Sequence, residues 1–273
     1  MDHMRIGSRE FDVKHHTYVM GILNMTPDSF SDGGSYNTLD AAMFRAQEMV
    51  AQGADILDIG GESTRPGHVK ISEKEEIERT APVLEQLRRE FDVPLSIDTC
   101  KASVAKAAIT AGADLVNDIW GLKYDANMAG VIAESNVACC LMHNRDEAVY
   151  QNFMEELKQD LIQSLQMAKA AGIAQEKIML DPGIGFGKTY AHNLQVLDAL
   201  EQLQELGQPV LLGASRKSVI GLALDLPVQE RLEGTLVTTV YAVLKGCAFV
   251  RVHDIKENVR AIKMAEAIRD GWR

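Results

Sequence analysis

The sequence predicts a single (β/α)8 barrel with a β-hairpin at its amino terminus. Eight short apolar runs recur along the 273 residues, and each is followed by a segment with helical spacing of its apolar residues. A Gly or Pro precedes most of these runs, as expected where a turn feeds a strand. The predicted strands lie near 19–24, 54–59, 94–98, 114–118, 137–142, 177–181, 210–213 and 248–252. Eight alternating units of this kind favour a closed parallel barrel.

The hairpin is predicted for the segment from Arg5 to Val13, with Gly7 and Ser8 in its turn. We expect it to close one end of the barrel. No linker rich in Ser, Pro or Gly divides the rest of the chain. The predicted organisation is therefore a hairpin extension over 1–18 and one barrel over 19–273.

The helices between the strands are predicted from apolar residues spaced three and four apart. The second helix carries Ile77, Val83, Leu84 and Leu87 in this pattern, and the fifth carries the similar series Leu157, Leu161, Ile162 and Leu165. This spacing gives each helix one apolar face for packing against the barrel.

Composition restricts the function classes. With 28 basic and 39 acidic side chains the formal charge is −11, which argues against non-specific binding to nucleic acid or to an anionic membrane. No apolar stretch of membrane-spanning length exists, and the first 18 residues do not resemble a signal sequence, so we expect a cytoplasmic protein. The cysteines lack paired metal spacing and are expected to be reduced and buried; they are Cys100, Cys139, Cys140 and Cys247.

The segment after the first strand is predicted to be an active-site loop. At Asn24 an apolar run gives way to Thr26-Pro27-Asp28-Ser29-Phe30-Ser31-Asp32-Gly33-Gly34. Such a concentration of hydroxyls and carboxylates beside one Phe exceeds what a connector needs. The alternative is a long surface turn that caps the next helix.

Polar residues follow every predicted strand, at the end where such barrels place their active sites. They are Asn24, Asp58, Asp98, Asn117 with Asp118, Met142 with His143, Asp181, the segment 215–218 and the segment 251–254. A barrel interior does not need these groups for stability, so some of them are expected to bind a ligand. Acids and amides would suit a ligand with adjacent N–H donors, such as an aminopyrimidinone edge, or a metal. The missing His-x-His pair disfavours a two-metal hydrolase.

Two further segments suggest how a ligand would be held. Arg251 and His253 alternate on the last strand and, with Arg65, would form a phosphate site. The run Asp181-Pro182-Gly183-Ile184-Gly185-Phe186-Gly187-Lys188-Thr189 fits neither a Walker loop nor a dinucleotide fingerprint. Its glycines would instead let the backbone approach a flat ligand, with Phe186 as a wall; a plain loop is the alternative.

Taken together, these residues resemble the bacterial dihydropteroate synthases. The resemblance extends from about Tyr18 to Ala267 and rests on seven motifs in order: GILNMTPDSFSDGG, DIGGESTRPG, SIDT, NDI, LDPGIGFGK, SRKS and RVHD. It implies a TIM barrel that joins 6-hydroxymethyl-7,8-dihydropterin diphosphate to 4-aminobenzoate in folate synthesis and releases diphosphate. It also implies a Mg²⁺ cofactor, inhibition by sulfonamides and a homodimer.

The resemblance implies a role for individual residues. The pterin would be bound by Asp98, Asn117, Met142, Asp181, Phe186, Lys217 and Arg251. The diphosphate would be bound by Asn24, Thr64, Arg65, Arg251 and His253, with Asn24 as the Mg²⁺ ligand. The aminobenzoate would be bound by Phe30, Thr64, Pro66, Lys217 and Ser218. The residues implied in catalysis are Asp181, Lys217, Arg251 and His253.

Two rival functions stay open at the level of sequence. A pterin-binding domain of a corrinoid-dependent methyltransferase resembles this barrel but gives no reason for the SRKS segment or the TPDSF loop. A non-catalytic pterin carrier would keep Asp98, Asn117 and Asp181 but would not need Arg251 and His253. The helical segments 232–244 and 255–268 are apolar enough for a dimer interface, although packing on the barrel explains them as well.

Overall fold

The computed structural model describes residues 1–25, 35–62 and 70–271, with side chains in the first helix described from residue 39 onward. Two strands form an amino-terminal antiparallel hairpin, β1 (His3–Ile6) and β2 (Arg9–Asp12). Eight parallel strands follow: β3 (Tyr18–Asn24), β4 (Ile56–Gly60), β5 (Leu95–Asp98), β6 (Leu115–Asp118), β7 (Ala138–Met142), β8 (Ile178–Asp181), β9 (Leu211–Leu212) and β10 (Phe249–Val252).

An α-helix follows each of these eight strands, and two α-helices follow β9. The helices are α1 (Ser35–Gln52), α2 (Glu73–Glu90), α3 (Ala102–Thr110), α4 (Met128–Ser135), α5 (Phe153–Ala171), α6 (Tyr190–Asp198), α7 (Ser218–Leu224), α8 (Leu232–Leu244) and α9 (Ile255–Asp270), with short 3₁₀ helices at Gln175–Lys177, Leu200–Leu206 and Val228–Glu230. Among the described residues no helix is long and apolar enough to cross a membrane.

The parallel strands close into a barrel. Neighbours pair in the order β8-β7-β6-β5-β4-β3-β10-β9, and a parallel bridge between Leu180 and Val210 joins the two ends of this series. The predicted (β/α)8 barrel and its eight strands are thus confirmed. The strand predicted over 210–213 is shorter than expected, because Pro209 precedes it and Gly213 follows it.

Two separate apolar clusters stabilise the barrel. The larger one lies between the outward side chains of the strands and the helices, and includes Leu57, Leu84 and Leu157. The smaller one fills the interior at the amino ends of the strands, where Met20 and Phe249 meet residues of the hairpin. Side chains alternate along a strand, so the residues that share a face with this inner cluster point into the barrel.

The hairpin closes the amino-terminal end of the barrel, as the sequence predicts. Met4, Ile6 and Phe11 are almost completely buried in the inner cluster. The Phe11 ring packs edge-on against Phe249, with centroids 5.5 Å apart. The four cysteines are free, and three of them are buried.

Replacing Phe11 by Ala tests this packing. We expect the free energy of unfolding to fall by about 3–5 kcal/mol, because the change removes a large side chain from a closed interior. Urea denaturation measures the loss. Arg5→Ala, at an exposed position on the same hairpin, is the control and should change stability by no more than about 0.5 kcal/mol. Equal effects of the two changes would show that the hairpin does not close the barrel.

Candidate active site

Five of the side chains that lie at strand ends point into the carboxyl-terminal mouth of the barrel. Each lies an even number of residues along its strand from a member of the inner cluster: Asp58 from Ile56, Asn117 from Leu115, Met142 from Cys140, Asp181 from Met179 and Arg251 from Phe249. Two-residue periodicity therefore places them on the inner face, one layer above the apolar plug.

A buried ion-pair network occupies the centre of this layer. Arg251 donates from Nε to Asp58 Oδ2 at 2.5 Å and from Nη2 to Asp98 Oδ2 at 2.6 Å. Asp58 also accepts a 3.3 Å hydrogen bond from the Asn117 amide, and its side chain has no exposed surface. Buried charges require partners of this kind, because removal from water is otherwise very unfavourable. The network thus fixes the position of three groups that the sequence assigns to a ligand site.

Three polar atoms beside this network lack a hydrogen-bond partner among the described residues. They are Asp58 Oδ1, Asp98 Oδ1 and Ser96 Oγ, and all three are buried. An unsatisfied buried acceptor is unfavourable by roughly 1–3 kcal/mol, so such atoms favour water or a ligand with N–H or O–H donors nearby. The Asp98 carboxylate is thereby suited to an N–H donor on a ligand.

The other side of the mouth is formed by Asp181 and Lys217. Asp181 Oδ1 accepts a 2.7 Å hydrogen bond from the Gly183 amide, and Lys217 Nζ donates to the Ile184 carbonyl at 2.6 Å. A Cβ on Gly213 would lie 3.2 Å from Asp181 Oδ2, 3.8 Å from Lys217 Nζ and 3.9 Å from Arg251 Cβ. The lack of a side chain at Gly213 therefore lets an acid, an amine and a guanidinium side chain lie close together around this residue.

Burial perturbs the ionisation of these groups. Burial raises the pKa of Asp98 to about 7 against the opposing effect of Arg251, and burial also raises the pKa of Asp181. Burial lowers the pKa of Lys217 to about 8, although Asp181 acts against this shift. Burial alone would lower the pKa of Arg251, but the Asp58 and Asp98 carboxylates raise it above its usual range. Such perturbed groups at a barrel mouth are typical of a functional site.

Phe186 lies beside these groups, as the sequence predicts for a wall. Its ring centroid is 4.7 Å from Lys217 Nζ, which is a cation–π distance. Phe186 and Asp98 both line a cavity of about 330 Å³ that extends toward Trp120 and Tyr124. Met142 is the last residue of β7, so it lies at the same end of the barrel as Phe186. Contact of these two residues with a pterin stays a prediction.

The last predicted residues lie at the ends of β9 and β10. The His253 amide donates to Ser215 Oγ at 3.2 Å, and the Ser215 hydroxyl lies 2.9 Å from His253 Nδ1. Ser218 is exposed at the start of α7. Arg216 of the same segment pairs with Asp254, whereas Lys217 reaches the Ile184 carbonyl.

Four predicted ligand residues lie outside the described part of the chain. They are Phe30, Thr64, Arg65 and Pro66, and their assigned contacts stay predictions. Asn24 is described at the end of β3, where it pairs with Gly60 of β4.

Sequence reasoning assigned no role to Asp58, Gly213 or Lys188. The signal for Asp58 was present, since it follows a strand like the other acids, but its ion pair with Arg251 joins positions 193 residues apart. The glycine and the lysine belong to segments that were already singled out, and only the fold shows what they contact.

Fold and site together define a barrel enzyme of the pterin-binding class, and a family comparison agrees. Residues 20–253 match the family described as pterin binding enzyme. The chain is 58% identical to a dihydropteroate synthase from Clostridium beijerinckii over 97% of this chain and 99% of that protein. The chain belongs to the dihydropteroate synthase family, so the resemblance seen in the sequence is confirmed.

Solved structures agree with this assignment. A Xanthomonas albilineans dihydropteroate synthase with 4-aminobenzoic acid has a TM-score of 0.94 and 38% identity, and the match covers 98% of each chain. A Yersinia pestis dihydropteroate synthase in a sulfonamide drug complex has a TM-score of 0.91 and 43% identity, and the match covers 98% of this chain and 99% of that one.

Replacing Asp58 by Asn tests the electrostatics of the network. We expect the pKa of Asp98 to fall below about 7, because the negative charge of Asp58 contributes to raising it. A carbon-detected NMR titration of the Asp98 carboxyl measures the shift. Asp92→Asn, at an exposed position outside the barrel interior, is the control and should leave this pKa unchanged. An unchanged Asp98 pKa in the Asp58 variant would contradict the described coupling.

Proposed function

We propose that this chain is a synthase that condenses 6-hydroxymethyl-7,8-dihydropterin diphosphate with 4-aminobenzoate, giving 7,8-dihydropteroate and diphosphate. The relatives named above support the reaction. The structural observation that carries the proposal is the convergence of Asp181, Lys217 and Arg251 around Gly213. A flat ring bound beside these side chains would contact the Asp181 carboxylate and the Lys217 ammonium at its polar edges.

The pterin is recognised by its polar edge. Its amino and ring N–H groups donate to Asp181 and Asp98, and Asn117 supplies a further amide partner. Lys217 donates to the ring carbonyl, while Met142 and Phe186 contact the ring faces. Two features support this assignment: the Asp98 Oδ1 atom lacks a partner among the described residues, and Asp181 Oδ2 lies close to Gly213, which has no side chain to cover it.

The diphosphate is held on the side of β3 and β10. Asn24 is the last residue of β3, and His253 directly follows the adjacent strand β10. Arg251 lies on β10, two residues before His253. Two Arg251 nitrogens already bond to Asp58 and Asp98, so its role toward phosphate is chiefly its charge. Thr64 and Arg65 complete this site in the proposal.

A Mg²⁺ ion fits the diphosphate site with Asn24 as its protein ligand. A Cβ at Gly60 would lie 3.4 Å from the Asn24 amide oxygen and 3.7 Å from Asp98 Cβ, so the glycine leaves space beside that oxygen. The described residues contain no cluster of three His, Cys, Asp or Glu that could hold a metal alone. Mg²⁺ commonly takes one or two protein oxygens together with substrate phosphates, which agrees with a single amide ligand. The ion would neutralise charge on the departing diphosphate.

The aminobenzoate lies outside the pterin, toward the loops. Lys217 and Ser218 are at the β9–α7 connection, and Phe30, Thr64 and Pro66 bound the same pocket in the proposal. Sulfonamides occupy this pocket as well, which agrees with the sulfonamide complex of the Yersinia pestis relative.

Catalysis follows from charge stabilisation. The carbon–oxygen bond to diphosphate breaks first, and positive charge then spreads over the pterin, where the Asp181 carboxylate stabilises it. The arylamine nitrogen attacks the exposed carbon and afterwards loses a proton to water. The weak basicity of an aniline makes this proton loss easy, so the reaction needs no general base from the protein. The rival carrier and methyltransferase functions would not require the aminobenzoate pocket.

We further propose that the protein is a homodimer formed through α8 and α9. Val237, Tyr241 and Leu244 of α8 and Met264 and Ile268 of α9 are all exposed by about half or more of their surface. Large exposed apolar groups on two adjacent helices favour an interface. The division into an extension over 1–18 and a barrel over 19–273, and the cytoplasmic location, stay predictions.

Asp181→Asn tests the catalytic role. We expect kcat to fall at least about tenfold, because the amide keeps the shape but not the charge. The Michaelis constant of the pterin diphosphate should rise by a smaller factor, because one acceptor for its N–H groups is lost, and that of aminobenzoate should stay near the wild-type value. Product formation is measured by chromatography. Asp118→Asn is the matched control: Asp118 is equally buried on β6, but its oxygens accept from the Trp120 and Leu122 amides. A collapse of affinity with unchanged kcat would make Asp181 a binding group only.

Asn24→Ala tests the metal assignment. We expect product formation to require Mg²⁺ and this change to raise the Michaelis constant of the pterin diphosphate at least about tenfold, the loss expected for one contact to a charged group. The constant for aminobenzoate should change much less. Initial rates at several Mg²⁺ concentrations provide both values. An equal rise in the two constants would contradict the assignment of Asn24.

Val237→Glu tests the dimer. A charge in the centre of the proposed α8 surface should convert the protein to monomers, which sedimentation velocity detects. Phe44→Glu, at an exposed apolar position on α1, should leave the dimer intact. A dimer that persists in the Val237 variant would place the interface elsewhere.

A further inference from the structure

A chain of partly buried polar contacts joins the β8–α6 loop to the β7–α5 connection and α5. Lys188 Nζ lies 2.7 Å from His143 Nδ1, and His143 Nε2 lies 3.1 Å from Asp160 Oδ2 on α5. The same Asp160 oxygen accepts from Arg145 Nε at 2.6 Å. These residues come from three segments of the chain, and His143 has no exposed surface. None of them has a role in the proposed reaction so far.

The proton positions in this chain follow from its partners. Burial lowers the pKa of His143 to about 4 despite Asp160, so the ring is neutral at physiological pH. Burial would raise the pKa of Asp160, but hydrogen bonds from His143 and Arg145 hold it far below its usual range. His143 Nε2 therefore carries the ring proton and donates to the carboxylate, which leaves Nδ1 to accept from Lys188.

Lys188 is connected to the loop that bears Phe186. Its Nζ also donates to the Phe186 carbonyl at 3.0 Å. Gly183 and Gly187 both have positive φ, and a Cβ on either would collide with the backbone of His143 or Arg145. The loop therefore lies directly on the β7–α5 connection, with the lysine between them.

The same loop contacts the pterin-binding lysine. The Ile184 carbonyl accepts from Lys217, and the Phe186 ring faces the Lys217 ammonium. A shift of this loop would displace an aromatic wall and the orientation of Lys217 together. Lys188 also acts on the site through its charge, which opposes the raised pKa of Asp181. Its contacts with the loop are the part of its role that can orient the Phe186 ring and Lys217.

We propose that Lys188 is a positioning residue for the pterin: anchored on His143 and Asp160, it holds the Phe186 backbone so that the Phe186 ring and Lys217 have the geometry that the ring requires. This inference rests on the proposed function. Replacing a buried charged group by an apolar one of similar size is often neutral or stabilising, so stability alone does not account for a lysine at this position.

The test compares Lys188→Met with the wild type. The methionine keeps the volume but removes both contacts of Nζ. We expect the dissociation constant of 6-hydroxymethylpterin, a probe without diphosphate, to rise at least about tenfold in calorimetry. The Michaelis constant of the pterin diphosphate should rise in parallel, while that of aminobenzoate stays within about twofold. His143→Leu, which removes the anchor but keeps the lysine, should show a smaller loss of the same kind.

Lys123→Met is the matched control. Lys123 Nζ donates to the Asp160 backbone carbonyl at 2.7 Å but does not contact the loop. This variant should bind the pterin as the wild type does. A pterin affinity of Lys188→Met within about twofold of the wild type would overturn the inference, and so would failure of this variant to fold or an equal loss in Lys123→Met. Failure of the wild type to bind the pterin or to form product would instead overturn the proposed function.

Discussion

The pairing of Arg251 with Asp58 and Asp98 is the interaction on which the rest of the site depends. A guanidinium inside a barrel is tolerated only with fixed anionic partners. Conversely, the two carboxylates that share this guanidinium would repel each other without it. The three residues therefore require one another. Because they lie on β10, β4 and β5, the network also ties together the strands on one side of the mouth.

The opposite side of the mouth is organised by backbone rather than by ion pairs. Asp181 is oriented by the Gly183 amide and Lys217 by the Ile184 carbonyl, both from the β8–α6 loop. One side thus presents a rigid charged network, while the geometry of the other depends on how a loop packs. Because the geometry of this side depends on the loop, a residue that contacts the loop, as Lys188 does, is placed to affect pterin affinity in our proposal.

The fold could be predicted from the sequence because each strand–helix unit of the barrel is specified by a short stretch of neighbouring residues. Periodicity within ten to twenty residues locates a strand such as 137–142, observed as Ala138–Met142, and the position of polar residues after each strand predicts which of them share the mouth. Contacts between distant positions could not be predicted in the same way. The Arg251–Asp58 pair and the Lys188–His143 contact depend on side-chain orientation at the top of the barrel, and no local pattern specifies it. Likewise, the close approach of Asp181 and Arg251 to Gly213 joins residues from three different strand ends and has no local sequence signal.

The seam at which the barrel closes has a consequence for the coupling of ligand and fold. β9 pairs with β10 over only two residues and meets β8 through the single bridge between Leu180 and Val210. Asp181 ends the strand on one side of this seam, and Lys217 follows the strand on the other. A bound ring that contacts both side chains adds a link across the seam, so part of its binding free energy opposes local opening of the barrel there. The ligand then stabilises the pairing of β8 with β9. The protection of the neighbouring backbone amides from hydrogen exchange therefore reports the affinity for the ring.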